Sequence, residues 1–124
     1  MRKAEAYLNY AEAILRGGNT VDGLSALEAV NVIRQRANAT LITSLVLDDI
    51  LDERGREFSW EMVRRRDLIR FGKFNKPDYL EYVTAKDDYR KWFPIPFSVL
   101  EKGKIDETTG KRFWTQNKGY EDIQ

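Results

Sequence analysis

The sequence predicts an all-α fold, mainly helical, that ends in a long irregular tail. Three observations predict it. Apolar residues recur every three or four positions as far as Gly72, glycine and polar stretches punctuate that pattern, and the periodicity disappears beyond it. Taken as a single domain over 1–124, the chain divides into a helical hairpin at 1–37, a long helix at 44–72 and a mostly irregular tail at 73–124. A chain of 124 residues buries a core without disulfide or metal staples.

The first helix is expected over 2–15, where Ala4, Tyr7, Leu8, Ala11 and Leu15 share one face. Gly17-Gly18 ends it, because glycine accepts the left-handed backbone of a helix C-terminus. Thr20 or Asp22 is placed to cap the second helix, whose apolar face holds Leu24, Leu27, Val30 and Ile33. Ala26, Val30 and Ile33 have the small-large-large spacing of a tetratricopeptide-type (TPR-like) second helix, a spacing that other amphipathic hairpins share. Residues 38–43 are a polar connection, and Thr43 or Ser44 is placed to cap the third helix.

The charges of that third helix are ordered. Glu57, Glu61, Arg64, Asp67 and Arg70 follow at three- or four-residue spacing, which lines them down one face with opposite signs mostly adjacent. Leu47, Ile50, Leu51, Phe58, Met62 and Ile69 form the neighbouring apolar stripe. Two readings fit. A solvated ladder contributes only about 0.2–0.5 kcal/mol per pair; a partly buried network instead fixes how the helix docks. On the second reading, Glu57, Arg64 and Asp67 orient the helix by charge-assisted hydrogen bonds. Lys76-Pro77 stops the helix, residues 78–84 allow a further turn or two, and Pro94 and Pro96 impose extended chain. Ser98 is placed to cap a short turn through Glu101.

Composition excludes several functions. The net charge of +1, from 21 basic and 20 acidic residues, gives no reason to expect nucleic acid or an anionic membrane surface. The one basic cluster, Arg64-Arg65-Arg66, is flanked by Glu61 and Asp67. Without cysteine there is no disulfide, thiolate metal site or cysteine nucleophile; without histidine the commonest general base and transition-metal ligand are missing. Asp48, Asp49, Asp52, Glu53 and Glu57 supply carboxylates, but on one helix rather than across a cleft, so no catalytic residue, metal or cofactor is assigned. No apolar run is long enough to span a bilayer, and no export signal or anchor is written in the chain. Trp60, Trp92, Trp114, Tyr79, Tyr82 and Tyr89 are the available aromatic platforms for a sugar ring, each with core or tail packing as the plainer role.

Four motifs carry a resemblance across nearly the whole chain. They are the helical segment from Ala4 to Ala13 with its partner from Ala26 to Ala37, the pattern Asp-Glu-Arg-x-x-Glu-Phe-x-x-Glu-x-x-Arg-x-x-Asp-Leu from Asp52 to Leu68, Trp92-Phe93-Pro94-Ile95-Pro96, and Thr115-Gln116-Asn117-Lys118-Gly119-Tyr120. In this order they resemble the C-terminal part of the SusD/RagB family, nutrient-binding lipoproteins of the Bacteroidetes outer membrane. The chain departs from that pattern at Lys118, where proline is usual, and at Met62-Val63, where Gly-His is more frequent. Family members are much longer, so the resemblance implies that the lipid-bearing cysteine and much of the glycan-binding face lie upstream of Met1. It implies a non-catalytic component of nutrient uptake that binds an oligosaccharide and works with a SusC-like TonB-dependent transporter at the cell surface. It also implies that the tail wraps back over the helices, pinned by Trp92, Phe93, Phe113, Trp114 and Tyr120 and locked by Pro94, Pro96 and Tyr120. No residue matches a sugar-binding residue of the family, so the ligand site is left unassigned. A small helical interaction module binding a protein near Tyr7 and Tyr10, or a truncated fragment without independent activity, are the alternatives.

Overall fold

In the computed structural model, residues 2–76 and 87–121 are described; expectations for Pro77, the turn at 78–84, Tyr79 and Tyr82 lie outside them. Among the described residues the secondary structure is helical, apart from one isolated β-bridge between Ile105 and Arg112. The all-α class therefore holds. The chain forms two compact units, 1–71 and 72–124, where the sequence reading expected one domain. They divide at Gly72, a left-handed glycine at the point where helical periodicity stops.

The first unit contains α1 (Lys3–Leu15), α2 (Ala26–Arg36), α3 (Leu47–Glu57) and α4 (Arg64–Arg70). Ala4, Leu8 and Ala11 of α1 meet Ala26, Ala29, Val30 and Ile33 of α2 in one apolar cluster, joined by Ile50 of α3 and by Phe58. Alanine at four of these positions lets the helix axes approach closely. It also turns α2, so that its buried face includes Ala26 and Ala29 while Leu27 stays partly exposed.

The connections are held by side chains. The Tyr10 hydroxyl donates to the Leu24 carbonyl at 2.7 Å and accepts the Val21 N–H at 2.8 Å, which fixes the α1–α2 loop. The cap of α2 is Ser25, not Thr20 or Asp22: its hydroxyl accepts the Glu28 N–H while Glu28 accepts the Ser25 N–H. That reciprocal box satisfies two otherwise unpaired donors, an advantage neither expected residue has. Between α2 and α3 the Asn31 amide donates to the Ile42 carbonyl at 2.9 Å and accepts the Ile42 N–H at 3.0 Å. Helix α3 begins at Leu47 rather than after Thr43 or Ser44, where Asp49 reaches back to accept the Val46 N–H at 2.8 Å.

The expected long helix over 44–72 is broken. Residues between α3 and α4 turn the chain, and Trp60 and Met62 take left-handed φ values of 66° and 58°. Two such values are incompatible with a continuous right-handed helix. The break lets Arg64 fold back across α3. Its guanidinium lies on the bare backbone of Gly55, where a β-carbon would come within 2.8 Å of Nη1, and it donates to the Leu51 carbonyl at 2.5 Å. Glycine inside a helix costs roughly 1 kcal/mol relative to alanine; here it makes room for that crossing.

In the second unit a short 3₁₀ turn at Asp88–Lys91 leads into extended chain, followed by α5 (Phe97–Leu100). Ser98 falls inside α5 rather than capping it, and Leu100 is fully buried. Asp106 closes a tight loop, its carboxylate accepting the Thr108 N–H and the Thr109 hydroxyl at 2.9 and 2.8 Å.

Candidate functional site

The charged residues of the first unit form a network between helices rather than a ladder along one. Its centre is Arg54, 2% exposed, whose Nε donates to Asp67 Oδ2 at 2.8 Å and whose Nη1 donates to Asn9 Oδ1 at 2.7 Å. Asp67, itself 1% exposed, also accepts from Arg70 at 3.1 Å, and Arg70 reaches Glu12 on α1 at 2.7 Å. Burial opposes ionisation of Glu12, but hydrogen bonds and charge from Arg70 and Arg16 outweigh it and hold the carboxyl below the usual range. Asp67 thus sits at the junction of α1, α3 and α4.

Glu57 and Arg64 have other partners. The carboxylate of Glu57 is nearly buried and accepts from Arg2 at 2.9 Å and from Arg36 at 2.6 Å, while Glu61 pairs with Arg2. The expected run from Glu57 through Arg70 is corrected accordingly, because the helix break removes the common face and Glu57 and Glu61 pair with Arg2 instead, while Asp67 and Arg70 still pair within the run. The sequence reading counted Glu53 among the carboxylates of one helix and gave Arg54 and Glu12 no part in the network. Glu53 pairs with Arg34 at 2.6 Å and Arg56 at 2.7 Å. Two guanidinium groups, of Arg2 and Arg54, each lie 5.1 Å from the centre of the Phe58 ring.

In the second unit the two terminal motifs meet. Pro94 and Pro96 bracket Ile95, whose N–H donates to Gln116 Oε1 at 2.7 Å and whose carbonyl accepts from Gln116 Nε2 at 2.8 Å. Asn117 donates to the Phe93 carbonyl at 2.8 Å, and the Tyr120 hydroxyl donates to the Trp92 carbonyl at 2.8 Å. Side chains of one motif therefore replace a neighbouring strand for the other. Tyr120 packs edge-on against Tyr89, ring centres 4.9 Å apart, and Gly119 at φ +94° lies flat on Tyr89, where a β-carbon would overlap the ring. Trp92, Phe93, Phe113 and Trp114 are exposed rather than buried as pins.

Among the described residues, two recesses carry a tryptophan side chain. One, of about 850 Å³, is lined by Asp52, Arg56, Phe58, Trp60, Met62 and Arg64, with Trp60 98% exposed. The other, of about 670 Å³, is lined by Asp88, Tyr89, Trp92, Asn117, Lys118 and Gly119. Four of the five carboxylates considered for hydrolysis have other partners: Asp49 caps α3, Asp52 lies 3.9 Å from Arg64, and Glu53 and Glu57 are held by arginines. Among the described residues no group of three or more metal-ligating side chains is gathered, and no helix is long and apolar enough to cross a membrane.

Comparison with known proteins places this arrangement. The model of the SusD family matches residues 1–120. The chain is 37% identical over 127 aligned positions to the starch-binding protein SusD of Bacteroides thetaiotaomicron, covering 96% of this chain and 21% of that protein. It is 34% identical to a SusD-like protein of Bacteroides ovatus, over 68% of this chain and 15% of that protein. Its fold superposes with a TM-score of 0.66 and 33% identity on the surface glycan-binding protein A of B. thetaiotaomicron, solved with laminarihexaose, over 92% of this chain and 23% of that one. The chain thus spans about a fifth of the length of SusD.

Proposed function

The chain belongs to the SusD family, and on that premise we propose that it is the C-terminal portion of a non-catalytic glycan-binding component of an outer-membrane uptake system. In this reading the full-length protein is a surface lipoprotein that captures oligosaccharide and passes it to a TonB-dependent transporter, making and breaking no covalent bond. Its α1–α2 pair ends a set of TPR-like helices. The observation that carries the reading is the match across residues 1–120, together with a structural neighbour solved with a hexasaccharide.

The network geometry supports a scaffold role for this portion. Buried, fully partnered charges such as Arg54 and Asp67 are poor general acids or bases but good fixtures for helix orientation. The decisive experiment is calorimetry on the full-length gene product with starch-derived and laminarin-derived oligosaccharides, with product analysis alongside. Saturable binding and intact sugar are expected. Failure to bind any oligosaccharide, or release of shortened products, overturns the proposal.

One observation favours a second reading. Ala6, Tyr7, Tyr10, Val21 and Leu24 line an apolar recess of about 480 Å³, suited to a side chain of a protein partner. Cell fractionation separates the two readings: a mature soluble protein of 14.5 kDa supports the interaction module, and a far larger outer-membrane band supports the glycan reading.

A further inference from the structure

We infer that the recess around Trp92 is a saccharide-binding site for a neutral hexopyranose unit. The inference rests on the glycan-binding reading above and assigns it a place in this chain. Trp92 is held by its backbone on both sides: its N–H donates to the Tyr89 carbonyl at 3.0 Å and its own carbonyl accepts from Tyr120 at 2.8 Å. The indole stands outside these ties, and Trp92 as a residue is 68% exposed. With the backbone held, only the two side-chain torsions of the indole are left to order when a ring stacks on it. The recess, about 670 Å³, falls in the ordinary range for small-ligand sites.

The polar lining selects the ligand class. Asp88 accepts hydrogen bonds, Lys118 donates them and the Asn117 amide is able to do both. A sugar hydroxyl is itself donor and acceptor, so this mixture suits a polyol. Asp88 is paired with Lys91 and accepts from Asn75 at 2.8 Å. The lining sets the Asp88 carboxylate against the Lys118 ammonium, so no single sign of ligand charge is matched throughout, and a peptide side chain would find polar groups around the rim where an apolar anchor needs a dry pocket.

The test is calorimetry on the chain with neutral laminarihexaose and maltohexaose, an acidic oligogalacturonide of similar length, and a mixed-sequence peptide. Wild type is compared with Trp92→Ala, Lys118→Ala and Phe113→Ala, the last an exposed aromatic outside the recess. The site predicts that Trp92→Ala weakens neutral-sugar binding by about tenfold or more, that Lys118→Ala weakens it less, and that Phe113→Ala leaves it unchanged. Circular dichroism checks that each variant folds; should Trp92→Ala not fold, loss of affinity in Lys118→Ala alone decides. Wild-type binding that survives both recess substitutions overturns the site while the family reading stands. Preference for the acidic sugar or the peptide overturns the ligand class. No binding by the chain overturns the site, and the full-length protein then judges the family reading separately.

Discussion

Replacing Asp67 with alanine tests whether the interhelical network, rather than surface charge, orients α4. The substitution removes the acceptor 2.8 Å from Arg54 Nε at a position where neither partner is more than 2% exposed. Arg54 keeps its bond to Asn9, and Arg70 keeps Glu12, so the loss falls mainly on one stranded N–H and an uncompensated buried charge. Breaking one partner of a buried pair costs roughly 3–5 kcal/mol, a large fraction of the about 5–15 kcal/mol that stabilises a domain. For a unit of this size about 1 kcal/mol shifts the midpoint by about 4–8 °C, so a fall of at least about 12 °C is expected. Arg56→Ala is the internal standard, because that guanidinium is 59% exposed and its pair with Glu53 falls in the range of about 0.2–1 kcal/mol. Thermal and urea denaturation followed by far-ultraviolet circular dichroism measure both variants, and the double variant Arg54→Met with Asp67→Ala completes a cycle. The double variant should lose less than the sum of the singles. An Asp67→Ala protein within about 1 kcal/mol of wild type, or an additive cycle, refutes the buried network.

Two further outcomes follow from the same unit. Met62→Gly should stabilise it by about 0.5–1 kcal/mol, since relief of the left-handed strain at φ 58° exceeds glycine's entropic cost; denaturant midpoints check this. The gain would also account for the resemblance's usual glycine at this position. Glu12 has its folded pKa lowered below the unfolded value, so its stabilisation is fully present above the unfolded pKa and is lost as pH falls through the folded one. Comparing wild type with Glu12→Gln from neutral pH to about pH 3 should show their stability difference shrinking below about pH 4.5; a constant difference contradicts the assignment.

The helices were legible because burial of α1 and α2 repeats at the helical period, and Gly17-Gly18 marks a stop by its chemistry. The cap of α2 was legible but passed over: Ser25 followed three residues later by Glu28 is a capping signature that Thr20 and Asp22 lack. The break between α3 and α4 carries no sequence signal, since no glycine or proline occurs from Phe58 to Val63 and two bulky residues take the unusual backbone. The centre of the network was hidden for a different reason. Arg54 finds its partners 45 residues upstream and 13 residues downstream, so no local spacing betrays it. Gln116 and Asn117 were singled out by motif, yet only the folded tail shows them serving the backbone of Phe93 and Ile95. The recess at Trp92 exists only once those segments have joined.

The Pro94-Ile95-Pro96 segment has a consequence for self-association. Extended chain beside exposed Trp92 and Phe93 resembles an unpaired sheet edge, the kind of surface on which a second molecule templates a strand. Strand addition needs donors, and in extended backbone alternate N–H groups face the same way. Pro94 and Pro96 have none, and the N–H between them is already given to Gln116 at 2.7 Å. A sticky stretch of chain is therefore left without the hydrogen-bond donors that would let aggregation begin there.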